Sequence, residues 1–264
     1  MKGIICYYSG SGNTKLAIEY LSKKITNTDF ELHNIVKNEV PDFTNYDVAG
    51  FATFTDFGGP AQLMYSFFDK IKMQKDKPAF VFNTFGFISV RTLKELGNLA
   101  TSKGFNVISG FSLHTPENYP PMRKRNKAYD DAPKPKELRE FDNYIKFLNT
   151  QLEDIKSSNI TRSEKIKSGI LGAIFPKFPR TQAKKDFGIQ NVDEGLCIEC
   201  GMCKKVCPYE AVELNPKPNF DHKLCHGCWA CYNHCPTKSI YTPKFNGIHH
   251  YPKPNTEMTR KLGY

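Results

Sequence analysis

The chain has 264 residues and a formal net charge of +10; it is 39% hydrophobic and 13% aromatic, with a mean hydropathy of −0.50. That is more than one typical domain, with enough apolar material for a core, and no run approaches the ~18 apolar residues of a membrane-crossing helix. The first apolar stretch is too short for a secretory signal. The expected setting is therefore cytoplasmic, where cysteines serve more often as metal ligands or catalytic groups than in disulfides. The positive charge is local: residues 156–185 carry a net +7 and residues 1–155 only +2. Without a helix-turn-helix or RNA-binding signature, such a stretch does not define a nucleic-acid protein.

Along residues 1–155, strand-like and helix-like patterns alternate. "GIICYY" (3–8), "FELHNI" (30–35), "DVAGFATF" (47–54), "AFVFNTF" (79–85) and "NVISGFSL" (106–113) read as strands. Between and after them, apolar residues recur at helical spacing, as in Ile18, Leu21 and Ile25, or Phe141, Ile145, Leu148 and Leu152. Five strands separated by helices predict a doubly wound α/β domain with a parallel sheet covered on both faces. Ligands of such sheets sit beyond the carboxyl ends of the strands. The first of those ends is "YYSGSGNT" (7–14). Here Ser9, Ser11 and Thr14 offer hydroxyls, Gly10 and Gly12 permit close backbone approach, and Asn13 opens a helix whose N–H groups face a bound anion. The loop has neither the lysine of a triphosphate-binding loop nor dinucleotide-type glycine spacing, so it reads as a cradle for one phosphate.

Cys6, inside the first strand, reads as a buried small residue. "MRKRNK" (122–127) lies in a Pro-rich loop and reads as a solvated basic run, with an acidic partner or a phosphate-bearing substrate as the functional alternative. Residues 156–185 read as a basic linker. Its apolar patch, Ile170, Leu171, Ile174 and Phe175, is expected to dock on one of the two halves.

From residue 186 the chain repeats itself. "NVDEGLCIECGMCKKVCP" (191–208) aligns with "NFDHKLCHGCWACYNHCP" (219–236), and the two copies hold eight of the nine cysteines. About sixty residues give only a marginal core, so this segment needs inorganic staples. Zinc sites use paired cysteines rather than a triplet and a distant fourth, and disulfides do not suit the compartment. The spacing Cys-x2-Cys-x2-Cys-x3-Cys-Pro is that of bacterial ferredoxins, in which the fourth cysteine ligates the other cluster. Cys197, Cys200, Cys203 and Cys235 are thus expected to hold one [4Fe–4S] cluster, and Cys225, Cys228, Cys231 and Cys207 a second. Trp229 reads as a packed aromatic or a shield for a cluster, and His226 and His234 as bystanders.

Residues 186–242 therefore resemble a small α+β two-cluster ferredoxin of the clostridial type. The loop at 9–14 resembles the flavodoxin loop that holds FMN. By that resemblance Thr53, Phe54, Thr55 and Phe57 form one wall of a ring site, and Thr84, Phe85, Gly86 and Phe87 the other. The whole resembles a flavodoxin–ferredoxin fusion of anaerobic bacteria and archaea, divided into a flavodoxin-like domain at 1–155, a linker at 156–185, a ferredoxin-like domain at 186–245 and a tail at 246–264. The resemblance implies a flavo-iron–sulfur electron carrier that moves electrons between FMN, two [4Fe–4S] clusters and a redox partner protein such as a ferredoxin or an oxidoreductase, with no catalytic acid–base residues. The alternative it leaves open is a flavin-dependent reductase of a small substrate, fed through the clusters. A homo-oligomer is left open as well.

Overall fold

The structure, a computed structural model, describes residues 1–158, 166 and 181–263. The patch at 170–175 lies outside the described residues. The first half begins with β1 (Lys2–Tyr7), α1 (Asn13–Lys24), β2 (Asp29–Asn34), β3 (Val48–Asp56), the short β4 (Gly59–Pro60) and α2 (Gln62–Lys70). It continues with β5 (Lys77–Phe85), α3 (Thr92–Ser102), β6 (Phe105–His114), α4 (Pro120–Lys124) and α5 (Pro135–Ser158). The main sheet runs β2-β1-β3-β5-β6 with every neighbour parallel, and β4 folds back antiparallel on β3. That strand order is the flavodoxin-type doubly wound arrangement, whose switch point falls between β1 and β3.

Alternation along the strands supplies both faces of the sheet. From β1, Ile5 and Tyr7 join a core with Ala17, Ile18 and Leu21 of α1 and Phe141, Ile145, Leu148 and Leu152 of α5. Ile4 and Cys6 join the opposite core, with Met64, Phe67 and Phe68 of α2 and Leu96 and Ala100 of α3. Cys6 is wholly buried there, and burial pushes its thiol well above the ordinary range. Ile166 also packs on this second core.

The second half opens with the helix Thr181–Phe187, so an ordered element begins inside the stretch read as linker. Its Phe187 is fully buried among the cysteine-bearing turns. Two short hairpin-like pairs follow. Asn191–Val192 pairs with Ile240–Tyr241, and Val212–Asn215 with Lys217–Phe220, both antiparallel. The opening strand of each repeat therefore pairs with the closing strand of the other: Val192 meets Ile240, and Phe220 meets Val212. This exchange carries Cys207 and Cys235 across to the other copy's triplet.

Residues 246–263 return to the first half. Asn255 caps the helix Thr256–Leu262 by accepting a hydrogen bond from Met258 N–H at 2.8 Å. Met258 and Leu262 are fully buried in the core between α1 and α5. Removing such a side chain loses its transfer free energy and leaves a cavity. Leu262→Ala is expected to lower stability by about 2–5 kcal/mol, read as a shift in the urea midpoint of the first half's circular dichroism.

Candidate functional site

At the carboxyl end of the parallel strands, Gly12 takes a left-handed conformation (φ 97°) and starts α1, aligning the N–H groups of its first turn toward the loop. A Cβ on Gly12 would stand 2.8 Å from Cδ of Pro254, so the returning segment packs directly on the glycine. Ser9 Oγ accepts a hydrogen bond from Lys15 N–H at 3.2 Å. The buried hydroxyls of Thr14 and Thr84 share a hydrogen bond of 2.8 Å, tying the β1 loop to the end of β5. Asn13 is committed to the protein: its Nδ2 donates to the carbonyl of Pro116 at 2.9 Å, and its Oδ1 accepts from the hydroxyl of Tyr251 at 3.0 Å. That hydroxyl is pushed up to about 12, burial being the largest cause.

A polar cleft is lined by Ser9, Gly10, Ser11, Asn13 and Thr14 on one side and by Phe54, Thr55, Thr84, Phe85 and Gly86 on another. It continues into a larger cavity of about 450 Å³ that Thr55, Phe57, Gly86 and Phe87 also line. The structure thus brings together, around one continuous opening, all the expected loop residues except two. Thr53 is fully buried and lines neither space, and Gly12 supplies the turn rather than a lining surface.

Several lining residues lie beyond those expected for the ring site, and four of them build one wall. Glu117, Asn118 and Tyr119 come from the loop after β6, and Trp229 comes from the second cysteine motif. The carboxylate of Glu117 accepts hydrogen bonds from the N–H groups of Asn118 at 2.9 Å, Tyr119 at 3.0 Å and Phe87 at 3.3 Å. Burial raises its pKa, against the pull of those N–H groups and of Arg123. Asn118 joins the halves: Nδ2 donates to Ser11 Oγ at 2.9 Å, Oδ1 accepts from Trp229 Nε1 at 3.3 Å, and its carbonyl accepts from Asn233 Nδ2 at 3.1 Å. The rings of Tyr119 and Trp229 lie 4.4 Å apart at 34°, and Phe57 meets Tyr119 edge-on at 5.5 Å. The sequence signal for this wall was the run "TPENYP", aromatic and amide residues at a strand's carboxyl end.

The basic run divides in three. Arg123 donates to the carbonyl of Glu117 and pairs with Asp130, Arg125 lines the large cavity, and Lys124 lies 5.3 Å from the ring centre of Phe245.

The cysteines surround two small cavities. Cys197, Cys200, Cys203 and Cys235 line one; Cys207, Cys225, Cys228 and Cys231 line the other. No cysteine is in a disulfide. The two crossed-over cysteines have matching environments: Cys207 Sγ accepts from Ala211 N–H at 3.3 Å, and Cys235 Sγ from Ser239 N–H at 3.2 Å. Burial raises the Cys235 thiol, but hydrogen bonds from Ser239, Ile240 and Thr237 bring it below the ordinary value. Burial and the neighbouring sulfurs of Cys228, Cys225 and Cys207 push Cys231 well up, an environment that calls for compensating positive charge. Four cysteine sulfurs around a cavity are the donor set that a [4Fe–4S] cluster uses.

The fold and these cages define a class, a flavodoxin-like α/β domain fused to an iron–sulfur domain. Residues 196–240 match the 4Fe-4S dicluster domain family. The chain belongs to the same family as the uncharacterized protein MJ0298 of Methanocaldococcus jannaschii, to which it is 31% identical over 147 residues, 53% of this chain and 95% of that protein. Among solved structures it is similar to a flavodoxin from the domain Archaea (15% identity, TM-score 0.43), covering 58% of this chain and 99% of that one. It is also similar to rubredoxin oxygen:oxidoreductase of Desulfovibrio gigas (14% identity, TM-score 0.47), covering 60% of this chain and 37% of that one. Among the described residues no helix is long and apolar enough to cross a membrane.

The tight packing of Pro254 on a left-handed glycine gives a direct test. Gly12→Ala is expected to cost about 1–2 kcal/mol from the backbone alone, plus the clash with Pro254. In a double-mutant cycle read by chemical denaturation, Pro254→Gly should recover the clash component and leave the backbone component.

Proposed function

We propose that the protein is a flavo-iron–sulfur electron carrier. In this reading the loop at 9–14 holds the phosphate of FMN. Phe54, Thr55 and Phe57 face Thr84, Phe85, Gly86 and Phe87 across its ring. Cys197, Cys200, Cys203 and Cys235 hold one [4Fe–4S] cluster, and Cys207, Cys225, Cys228 and Cys231 a second. The observation that carries the reading is the junction between the two sites. Cys228 and Trp229 belong both to the wall of the second cysteine cage and to a cleft shared with Gly10, Ser11 and Phe54 of the flavodoxin-like half.

When bound, FMN exchanges electrons singly or in pairs and the clusters exchange them singly, which converts between the two currencies. The chain's own residues hold and shield these groups. The loop hydroxyls and the first turn of α1 receive an anion, the Ser11–Asn118–Trp229 contacts tie that loop to the second half, and Phe57 and Tyr119 supply aromatic surface beside the ring site. Electrons leave or enter through a redox partner protein.

Anaerobically purified protein is expected to contain about eight iron and eight acid-labile sulfide per chain. Zinc, or half that iron, would overturn the two-cluster assignment. A visible spectrum followed by redox titration should resolve a flavin couple and cluster couples that equilibrate within one molecule. Thr14→Val is expected to weaken FMN binding roughly tenfold or more, because a hydrogen bond to a charged group contributes about 1.5–3 kcal/mol. Equal affinity of the parent protein for riboflavin and FMN, measured by fluorescence titration, would remove the phosphate cradle from the assignment.

A further inference from the structure

We propose that Trp229, carried by the second cysteine motif, is a wall of the flavin ring site, and that through it the dicluster half sets how tightly the flavin is held. The inference rests on the assignment of FMN above and adds a residue of the other half to that site.

The internal repeat provides the comparison. Shifting the second motif back by 28 positions places Trp229 on Gly201. Both residues precede a short helix in a left-handed conformation, Gly201 at φ 69° and Trp229 at φ 52°. Glycine takes that conformation freely, whereas a bulky side chain rarely does. The first motif wraps its cage with glycine at this position, so wrapping a cage does not require an indole. The indole is retained in a disfavoured backbone geometry, and such geometry persists where the surroundings hold it in place.

Those surroundings belong to the flavodoxin-like half. The indole N–H donates to Asn118 Oδ1, its face lies against Tyr119, and the residue is only 6% exposed while lining the 450 Å³ cavity. The same Asn118 side chain donates to Ser11 in the phosphate loop. An aromatic face beside a flavin offers stacking, and the Asn118 bridge ties that face to the loop at the other end of the site. Coupling of this kind is reciprocal: a flavin that contacts Trp229 also strengthens the docking of the dicluster half.

The test uses the full chain, loaded with iron and sulfide under anaerobic conditions, and FMN as the probe. Trp229→Gly, which copies the first motif, should keep the parent's iron and sulfide content. It should raise the Kd for FMN about five- to tenfold and brighten bound-flavin emission, since the chain has one tryptophan. Trp229→Phe, which keeps a ring but loses the N–H donor, should fall between parent and glycine variant in both readouts. A Trp229→Gly protein that binds FMN within twofold of the parent, with unchanged emission, overturns the inference alone. Loss of iron from that variant also overturns it, because weaker flavin binding would then follow from a failed cage rather than from the lost ring. A parent protein that takes up no FMN overturns the flavin assignment together with it.

Discussion

Among the contacts between the two halves of this protein, one amide has every end engaged. Asn118 stands at the end of the loop leaving β6, and both ends of its side chain are engaged, one by Ser11 and one by Trp229, while its carbonyl takes the amide of Asn233. Polar groups in a water-poor junction must find partners, and unmet ones are costly. The contact is therefore specified by donor and acceptor geometry rather than by apolar area alone. Sliding the dicluster half by one residue would strand the indole N–H and two amides together. The loop at 9–14 and the second cysteine cage consequently stand in a fixed relation.

The dicluster half leans on that relation for its own packing. Its core contains Phe187, Tyr232 and Phe245, but also Tyr119 from the other half, with Phe57 and Met122 against it. Crossed strand pairing makes each repeat dependent on its copy, and the cysteine cages occupy space that a larger domain would fill with aliphatic side chains. Buried thiols such as Cys231 resist ionisation without a compensating cation.

Much of the architecture could be read from local pattern. The five sheet strands and the order of helices between them follow from short apolar runs, and the turn into α1 from the glycine residues at one strand end. The crossed cysteine sets are equally legible, because Val192 and Phe220 sit at equivalent places in an exact offset and pair accordingly. The junction was legible only as the strand-end run "TPENYP". Nothing local distinguishes Asn118 from any loop asparagine, or Trp229 from a packed aromatic, since their roles arise from contacts more than a hundred residues apart. Thr53 shows the converse: it lies inside the paired length of β3, opposite Asn83, in a sheet covered on both faces, whereas Thr55 stands nearer the strand's carboxyl end and reaches the opening. The segment 246–264 read as a tail, yet its Met258 and Leu262 complete the first core.

That last arrangement bears on how the molecule is made. Domains generally fold as they are synthesised, the earlier ones first. Here the flavodoxin-like half comes first in the sequence, yet Met258 and Leu262 of its core follow both cysteine motifs. That core is complete only after the chain has passed through the cysteine-bearing segment and returned, so the path of the chain links the two halves as well as their contacts do.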